Sequence, residues 1–231
     1  MKIFIGCSSS DNIPKEYFDD CKVLLEELMK DNDLVFGACN SGLMGLAYNT
    51  AISEKRQIIG ICPEAYKDDF KNLECNIEIT TKSVSERTDN IIEYSDALIF
   101  LPGGIGTIYE LLTAIESKRC KEFDKPIVIY NSNGFYDNLL NFINELSNKK
   151  FLNYKDKYNF LVTNSVSSIK YYINNYKKLK KNQTKLGYSY EEICDIYRIT
   201  NGFSDDIGEI DSALMQFARE DDEQSCLKKT R

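Results

Sequence analysis

Ala97-Leu98-Ile99-Phe100-Leu101-Pro102-Gly103-Gly104-Ile105-Gly106-Thr107 joins an unbroken apolar run to a turn with three glycines. The five apolar residues do not alternate with polar ones, so they read as a strand buried on both faces, as in a parallel sheet covered by helices. Thr107–Arg119 follows with helical periodicity. A strand, a glycine-rich turn and a helix in this order form the working half of a βαβ unit. Glycines there let backbone N–H groups approach an anion at a helix N-terminus. They also serve a tight turn with no ligand, and glycine count alone leaves both readings open. The segment is neither a Walker loop, since no Gly-Lys-Ser/Thr follows, nor a G-x-G-x-x-G turn.

Outward from this unit the pattern repeats. Toward the N-terminus, Lys2–Gly6, Leu34–Gly37, Gln57–Cys62 and the weaker Asn76–Thr80 read as strands. Pro14–Lys30, Leu43–Lys55 and Val84–Tyr94 read as helices between them. Toward the C-terminus come strand Pro126–Tyr130, helix Tyr136–Asn148, strand Phe160–Thr163 and helix Ser165–Lys180. The expected fold is α/β: a Rossmann-like, doubly wound, mostly parallel sheet with a small helical C-terminal extension. The basic stretch Lys177–Lys185 reads as a helix end and linker, dividing a body over 1–181 from an extension over 182–231. Two helices are expected in the extension, Ser189–Ile199 and Glu209–Glu220, the first opened by a Ser189-x-x-Glu192 capping box.

Composition bounds the function. The chain has 231 residues, 42% hydrophobic and 28% charged, which suits an ordinary globular protein. The net charge of −7 argues against a nucleic-acid surface. Residues 182–231 hold 11 acids against 6 bases, so the extension carries most of that charge and could engage a protein partner. There is no histidine among the residues and the eight cysteines form no C-x-x-C pair, so neither a zinc site nor a histidine base is expected. Scattered cysteines without a secretion signal point to a reducing, cytoplasmic compartment. Phe4-Ile5-Gly6-Cys7 resembles a lipoprotein box, but the apolar run before it is shorter than the roughly 7–15 residues of a signal core. No stretch approaches the ~20 apolar residues of a membrane span.

Ligands in an open parallel sheet bind beyond the carboxyl ends of the strands. Four segments fall there: Gly6–Ser10, Gly37–Gly45, Ser83–Asn90 and Pro102–Thr107. Thr107 could add a hydroxyl donor to the glycine turn. Glu110 could stabilise a cation in the crevice, and Thr107-x-x-Glu110 is also formally a capping box. Arg87 could hold substrate charge, and Ser83-x-x-Glu86 beside it has the spacing of another capping box.

Taken together, these segments resemble one family. Pro-Gly-Gly-Ile-Gly-Thr-Ile-Tyr-Glu at 102–110 is similar to the P-G-G-x-G-T-x-x-E signature of the Lonely Guy family, cytokinin-activating phosphoribohydrolases long labelled lysine decarboxylases. Glu86-Arg87 stands where that family has E-R-K, and Ser-Gly-Leu-Met-Gly at 41–45 resembles its G-L-M-G turn. Lys125–Val128 and Gly134–Leu140 resemble its K-P-V and G-Y-Y-x-x-L-L segments, so the likeness runs to about residue 178. The departures are Gly37-Ala38-Cys39 for a glycine triplet, Gly6-Cys7-Ser8 for Cys-Gly-Ser, Thr88 for the lysine after the arginine, and Glu116–Arg119 for Thr-Trp-Ala-Gln.

The resemblance implies hydrolysis of the N-glycosidic bond of a nucleoside 5′-monophosphate to free base and ribose 5-phosphate, with no metal or organic cofactor. It implies Arg87 and Glu110 as the catalytic pair. Ser8, Ser9, Gly42, Gly103, Gly104, Gly106 and Thr107 are the expected phosphate and substrate contacts, and a homodimer is the expected assembly. Two other classes remain beside this one: a module of the same fold that senses a nucleotide derivative without turnover, and a pyridoxal decarboxylase. The latter needs a marked Schiff-base lysine, which the sequence lacks.

Overall fold

The computed structural model of the chain describes residues 1–152 and 160–186. The two helices expected at Ser189–Ile199 and Glu209–Glu220, and the acidic extension beyond residue 186, lie outside the described residues. The chain divides into two compact units, Met1–Val166 and Ser167–Arg231.

The first unit is built on seven parallel strands: β1 (Lys2–Gly6), β2 (Asp33–Phe36), β3 (Ile58–Pro63), β4 (Ile77–Thr81), β5 (Ala97–Phe100), β6 (Ile127–Tyr130) and β7 (Leu161–Thr163). Their order across the sheet is β4-β3-β2-β1-β5-β6-β7, every neighbouring pair being parallel. Five helices connect them: α1 (Lys15–Met29), α2 (Gly42–Ser53), α3 (Val84–Tyr94), α4 (Ile105–Arg119) and α5 (Asp137–Asn148). This is the doubly wound Rossmann-like sheet that the buried apolar runs imply.

The sheet is pinned from within. Strand β1 pairs on one side with β2, Phe4 opposite Val35, and on the other with β5, Gly6 opposite Phe100. Phe4, Val35, Ile59, Ile61, Leu98, Phe100, Ile127 and Ile129 gather into one core cluster with Ile91 of α3, Leu111 and Ala114 of α4, and Ile143 of α5. Leu24, Leu25 and Leu28 of α1 are fully buried, each stabilising the fold by about 1.5–3 kcal/mol on area grounds. The edge strand β4 has three exposed positions of five, which explains its weaker apolar signal.

The order in which strands are added across the sheet reverses after β4: β2 to β4 lie on one side of β1, and β5 to β7 on the other. The crevice of such a sheet opens at that switch point, beyond the C-terminal ends of β1 and β5. The segments 7–11 and 102–107 therefore face each other there, with the end of β2 and the start of α2 alongside.

Two features depart from the expectations. Short 3-10 segments at Glu64–Asn72 and Ser132–Gly134 were not anticipated; each is too short or too irregular to give a helical repeat. The basic stretch Lys177–Lys185, read as a helix end and linker, lies wholly inside α6 (Val166–Leu186). That helix extends past position 181, where the body was expected to end. In the second unit, the Tyr172 and Tyr176 rings of α6 meet edge to face at 5.6 Å. Among the described residues no helix is long and apolar enough to cross a membrane.

Candidate active site

Helix α3 begins where its capping signal places it. Ser83 has extended backbone angles and its Oγ accepts the Glu86 N–H at 3.1 Å. The Glu86 carboxylate turns back to accept the Lys82 N–H at 2.7 Å. Glu86 is thus occupied as a cap, and Arg87 is the residue of this pair that enters the crevice.

Arg87 Nη2 donates to Glu110 Oε1, forming an ion pair between α3 and α4. The pair is largely withdrawn from water, with side-chain exposures of 19% for Arg87 and 6% for Glu110. Burial pushes the Glu110 carboxyl above its ordinary range, and the Arg87 charge and hydrogen bond oppose that shift. Arg87 Nε is buried with no partner among the described residues. A donor left so costs about 1–3 kcal/mol unless an acceptor reaches it. Room for the guanidinium comes from Gly37 at the end of β2: a Cβ there would stand 2.9 Å from Arg87 Nη2 and 3.2 Å from the Met44 thioether.

The Thr107-x-x-Glu110 spacing is not a cap. Helix α4 begins at Ile105 with Gly104 in the N-cap position, so Thr107 already lies within the first turn. Its hydroxyl donates to the Cys7 carbonyl at 3.1 Å. The hydroxyl proton expected for a ligand is thereby committed to the end of β1. Glu110 has no capping duty, and its burial beside Arg87 has no local helix-end explanation.

The glycine turn is held at its base and open at its tip. Leu101 N–H donates to the Gly6 carbonyl at 2.8 Å and Ser8 N–H to the Pro102 carbonyl at 3.0 Å. The Tyr136 hydroxyl donates to the Leu101 carbonyl at 2.6 Å. The first hydrogen bond within α4 runs from Ile108 N–H to the Gly104 carbonyl. The N–H groups of Ile105, Gly106 and Thr107 are the usual unpaired donors of a helix start, and none has an acceptor among the described residues. A Cβ at Gly104 or Gly106 would meet nothing within 4 Å, so open space lies over the turn. Its N-terminal dipole favours an anion there.

The start of α2 differs. Gly42 N–H donates to Asp11 Oδ1 at 2.7 Å, Met44 N–H to the Ser8 carbonyl at 3.1 Å, and the Ser41 hydroxyl to the Ser9 carbonyl at 2.7 Å. Gly42, expected as a phosphate contact, has its N–H committed within the chain. Its φ of +60° and its approach to Ser8 and Ser10 backbone atoms within 2.7 Å of an ideal Cβ require glycine for packing. Ser8 joins both turns, by its N–H to Pro102 and by its carbonyl to Met44. Ser9 is exposed, and Asp11 was missed because its partner lies 31 residues away.

A cavity of about 240 Å3 opens against the turn, lined by Ser8, Pro102, Gly103 and Gly104 and by the apolar groups of Ile13, Pro14, Tyr17 and Phe135. The latter four were also missed; the G-F-Y segment gave the one available signal. Among the described residues no group of three or more His, Cys, Asp or Glu side chains is placed to hold a metal ion.

A family model described as possible lysine decarboxylase matches residues 44–173, more than half of the chain. A cytokinin riboside 5′-monophosphate phosphoribohydrolase of Arabidopsis thaliana is 34% identical over 153 residues, covering 65% of this chain and 71% of the relative. The chain belongs to the Lonely Guy family.

A probable enzyme of the same description from Oryza sativa subsp. japonica is 34% identical over 161 residues, and the matched part spans 61% of its length. Among solved structures, the molybdenum cofactor (Moco) carrier protein of Chlamydomonas reinhardtii superposes with a TM-score of 0.55 at 20% identity, covering 77% of this chain and 98% of that one. The molybdenum cofactor binding protein of Rippkaea orientalis gives 0.54 at 20% identity, covering 75% and 95%. At that identity these two share the fold. Where Lonely Guy proteins carry a lysine after the arginine, this chain has Thr88, buried at 1% exposure with its hydroxyl donating to the Val84 carbonyl. In the altered glycine triplet Ala38 holds a left-handed φ of 56°, the conformation a glycine would take without strain.

Proposed function

We propose that this Lonely Guy protein hydrolyses the N-glycosidic bond of a nucleoside 5′-monophosphate, releasing the free base and ribose 5-phosphate. The observation that carries the proposal is the buried Arg87–Glu110 pair beside an open amide turn at the switch point of the sheet. The names of the relatives support the same reaction class.

In this reading the 5′-phosphate rests on the N–H groups of Ile105, Gly106 and Thr107, with Gly103 and Gly104 shaping the approach and the Ser8 and Ser9 hydroxyls beside it. Gly42 shapes the adjoining α2 start. Breaking the bond at ribose C1′ develops oxocarbenium character. Glu110 is assigned to stabilise that charge, its carboxylate form supported by Arg87 against the pressure of burial. Arg87 stays protonated and is no general acid. Its unpartnered Nε offers a donor to substrate or leaving base.

The outward row Ile105, Tyr109 and Leu112 on α4, exposed at 83%, 39% and 42%, supports a homodimer across that helix. The unpaired cysteines among the described residues suit a cytoplasmic setting. A catalytic body over 1–181, and a protein partner for the acidic extension over 182–231, are proposed with it.

The test is incubation with a panel of nucleoside 5′-monophosphates, scored for free base and ribose 5-phosphate. Release of both in equal amounts supports the assignment. Tight binding of a monophosphate with no base released identifies a sensing module instead.

A further inference from the structure

The three signature glycines differ in what surrounds them, and one is paired with the signature threonine. A Cβ on Gly104 or Gly106 would meet nothing within 4 Å. A Cβ on Gly103 would collide with the Thr107 hydroxyl, and would stand 2.6 Å from Thr107 Cβ and 2.8 Å from its Cγ2. Thr107 is itself 5% exposed, and its hydroxyl donates to the Cys7 carbonyl at 3.1 Å. Gly103 therefore clears the space in which Thr107 reaches across to β1.

We propose that Thr107 is a positioning residue whose hydroxyl locks the first turn of α4 to the end of β1, and that Gly103 is a glycine to admit that lock. The proposal rests on the reading of the 102–107 turn as an anion seat. In that reading Thr107 was expected to offer its hydroxyl to the phosphate. A hydroxyl has one proton to donate, and here the Cys7 carbonyl receives it. What Thr107 presents to an anion is its backbone N–H.

The lock completes a pattern of fixation around the turn. Leu101 is tied through both its N–H and its carbonyl, to Gly6 and to Tyr136. The Pro102 carbonyl is tied to Ser8. Thr107 secures the far side. The unpaired N–H groups between these anchors are held in place before a ligand arrives, which is how preorganised donors stabilise charge without reorganising. The labour is divided among the signature residues: Gly104 and Gly106 leave the approach open, while Gly103 and Thr107 hold the donors where the anion meets them.

The experiment combines thermal unfolding of the ligand-free full chain with calorimetric titration of inorganic phosphate and ribose 5-phosphate. Thr107→Val keeps the shape and removes the hydroxyl. It is expected to lower the melting temperature of the free protein and to weaken phosphate binding about tenfold, the equivalent of one hydrogen bond. Thr107→Ser is expected to restore both. Gly103→Ala is expected to lower the melting temperature strongly in the parent. In a Thr107→Gly background, where the colliding atoms are gone, it should lower it by less than about 2 °C, within the scale of 1 kcal/mol for a chain of this size.

Thr107→Val that weakens phosphate while leaving the free protein's melting temperature unchanged would make the hydroxyl a direct donor and overturn the lock. So would an equal Gly103→Ala penalty in the two backgrounds. A parent that binds neither phosphate nor ribose 5-phosphate removes the anion seat, and the functional reading with it, whatever the melting cycle shows.

Discussion

Replacing Arg87 by methionine isolates Glu110 and turns a buried ion pair into a pH-dependent liability. In the parent, burial raises the Glu110 carboxyl and Arg87 alone opposes the shift. Without Arg87 both opposing contributions vanish, and the carboxyl, 6% exposed, has no compensating charge. The sign follows from linkage. A carboxyl raised in the folded state binds more protons folded than unfolded, so stability falls as pH rises above the unfolded value, until the folded value is passed. Breaking a buried pair from one side costs about 3–5 kcal/mol, and for a carboxyl that burial has raised the cost grows as pH climbs above its ordinary value near 4.5.

The comparison that reads this out is Arg87→Met against Arg87→Met/Glu110→Gln, which carries no titrating group at 110. The double variant should be the more stable, by a margin that widens between pH 5 and pH 7 toward the about 3–5 kcal/mol of a pair broken from one side. A margin of about 3 kcal/mol is roughly 6–12 °C in melting temperature for a chain of this size. Circular dichroism melts at pH 5, 6 and 7 measure it. Base release should fall at least about a hundredfold in both variants, the scale for losing a preorganised charge-stabilising group. A difference between them that does not change with pH would show that Glu110 is not held buried and uncompensated, and the electrostatic account of the site would fail.

The other expectations concern separate parts of the fold. Gly42→Ala places a methyl in a left-handed backbone position against the Ser8 and Ser10 backbone; a loss of at least about 2 kcal/mol in urea titration is expected, and an unchanged midpoint would refute the packing of the 8–11 segment on α2. Ser83→Ala removes the cap of α3 and should cost about 1 kcal/mol with base release within about twofold of the parent; a large rate defect would give Ser83 a role beyond capping. A nucleoside should be a far poorer substrate than its 5′-monophosphate, and equal kcat/KM for the two would remove the phosphate role of the 102–107 turn. A chain ending at Leu186, which keeps α6 whole, should retain base release; its loss with the fold intact would place part of the active site in the extension.

What the sequence made legible follows from the range over which its signals act. The strands were visible because β1, β2, β3, β5 and β6 are buried on both faces and read as apolar runs, and β4 was faint because it is an edge. The start of α3 was legible because Ser83 and Glu86 lie on one turn and satisfy each other's neighbourhood. The same pattern misled at Thr107 and Glu110. Spacing alone does not reveal where a helix begins, and with Gly104 in the cap position both residues are already inside α4. The contacts that define the site span larger separations: Asp11 to Gly42, Arg87 to Glu110, Thr107 to Cys7. The parallel register of β1 with β2 and β5 brings Asp11 to Gly42 and Thr107 to Cys7, and Arg87 meets Glu110 where α3 and α4, the helices before and after β5, come together. No local pattern encodes such a meeting. For Arg87 and Glu110 the sequence carried the pairing through family likeness; for Asp11 and the Gly103–Thr107 lock it carried none. The physical reason is that a signature preserves residue identities whatever they do, so a threonine that positions a turn and one that binds a phosphate read alike until the acceptor of its single proton is seen.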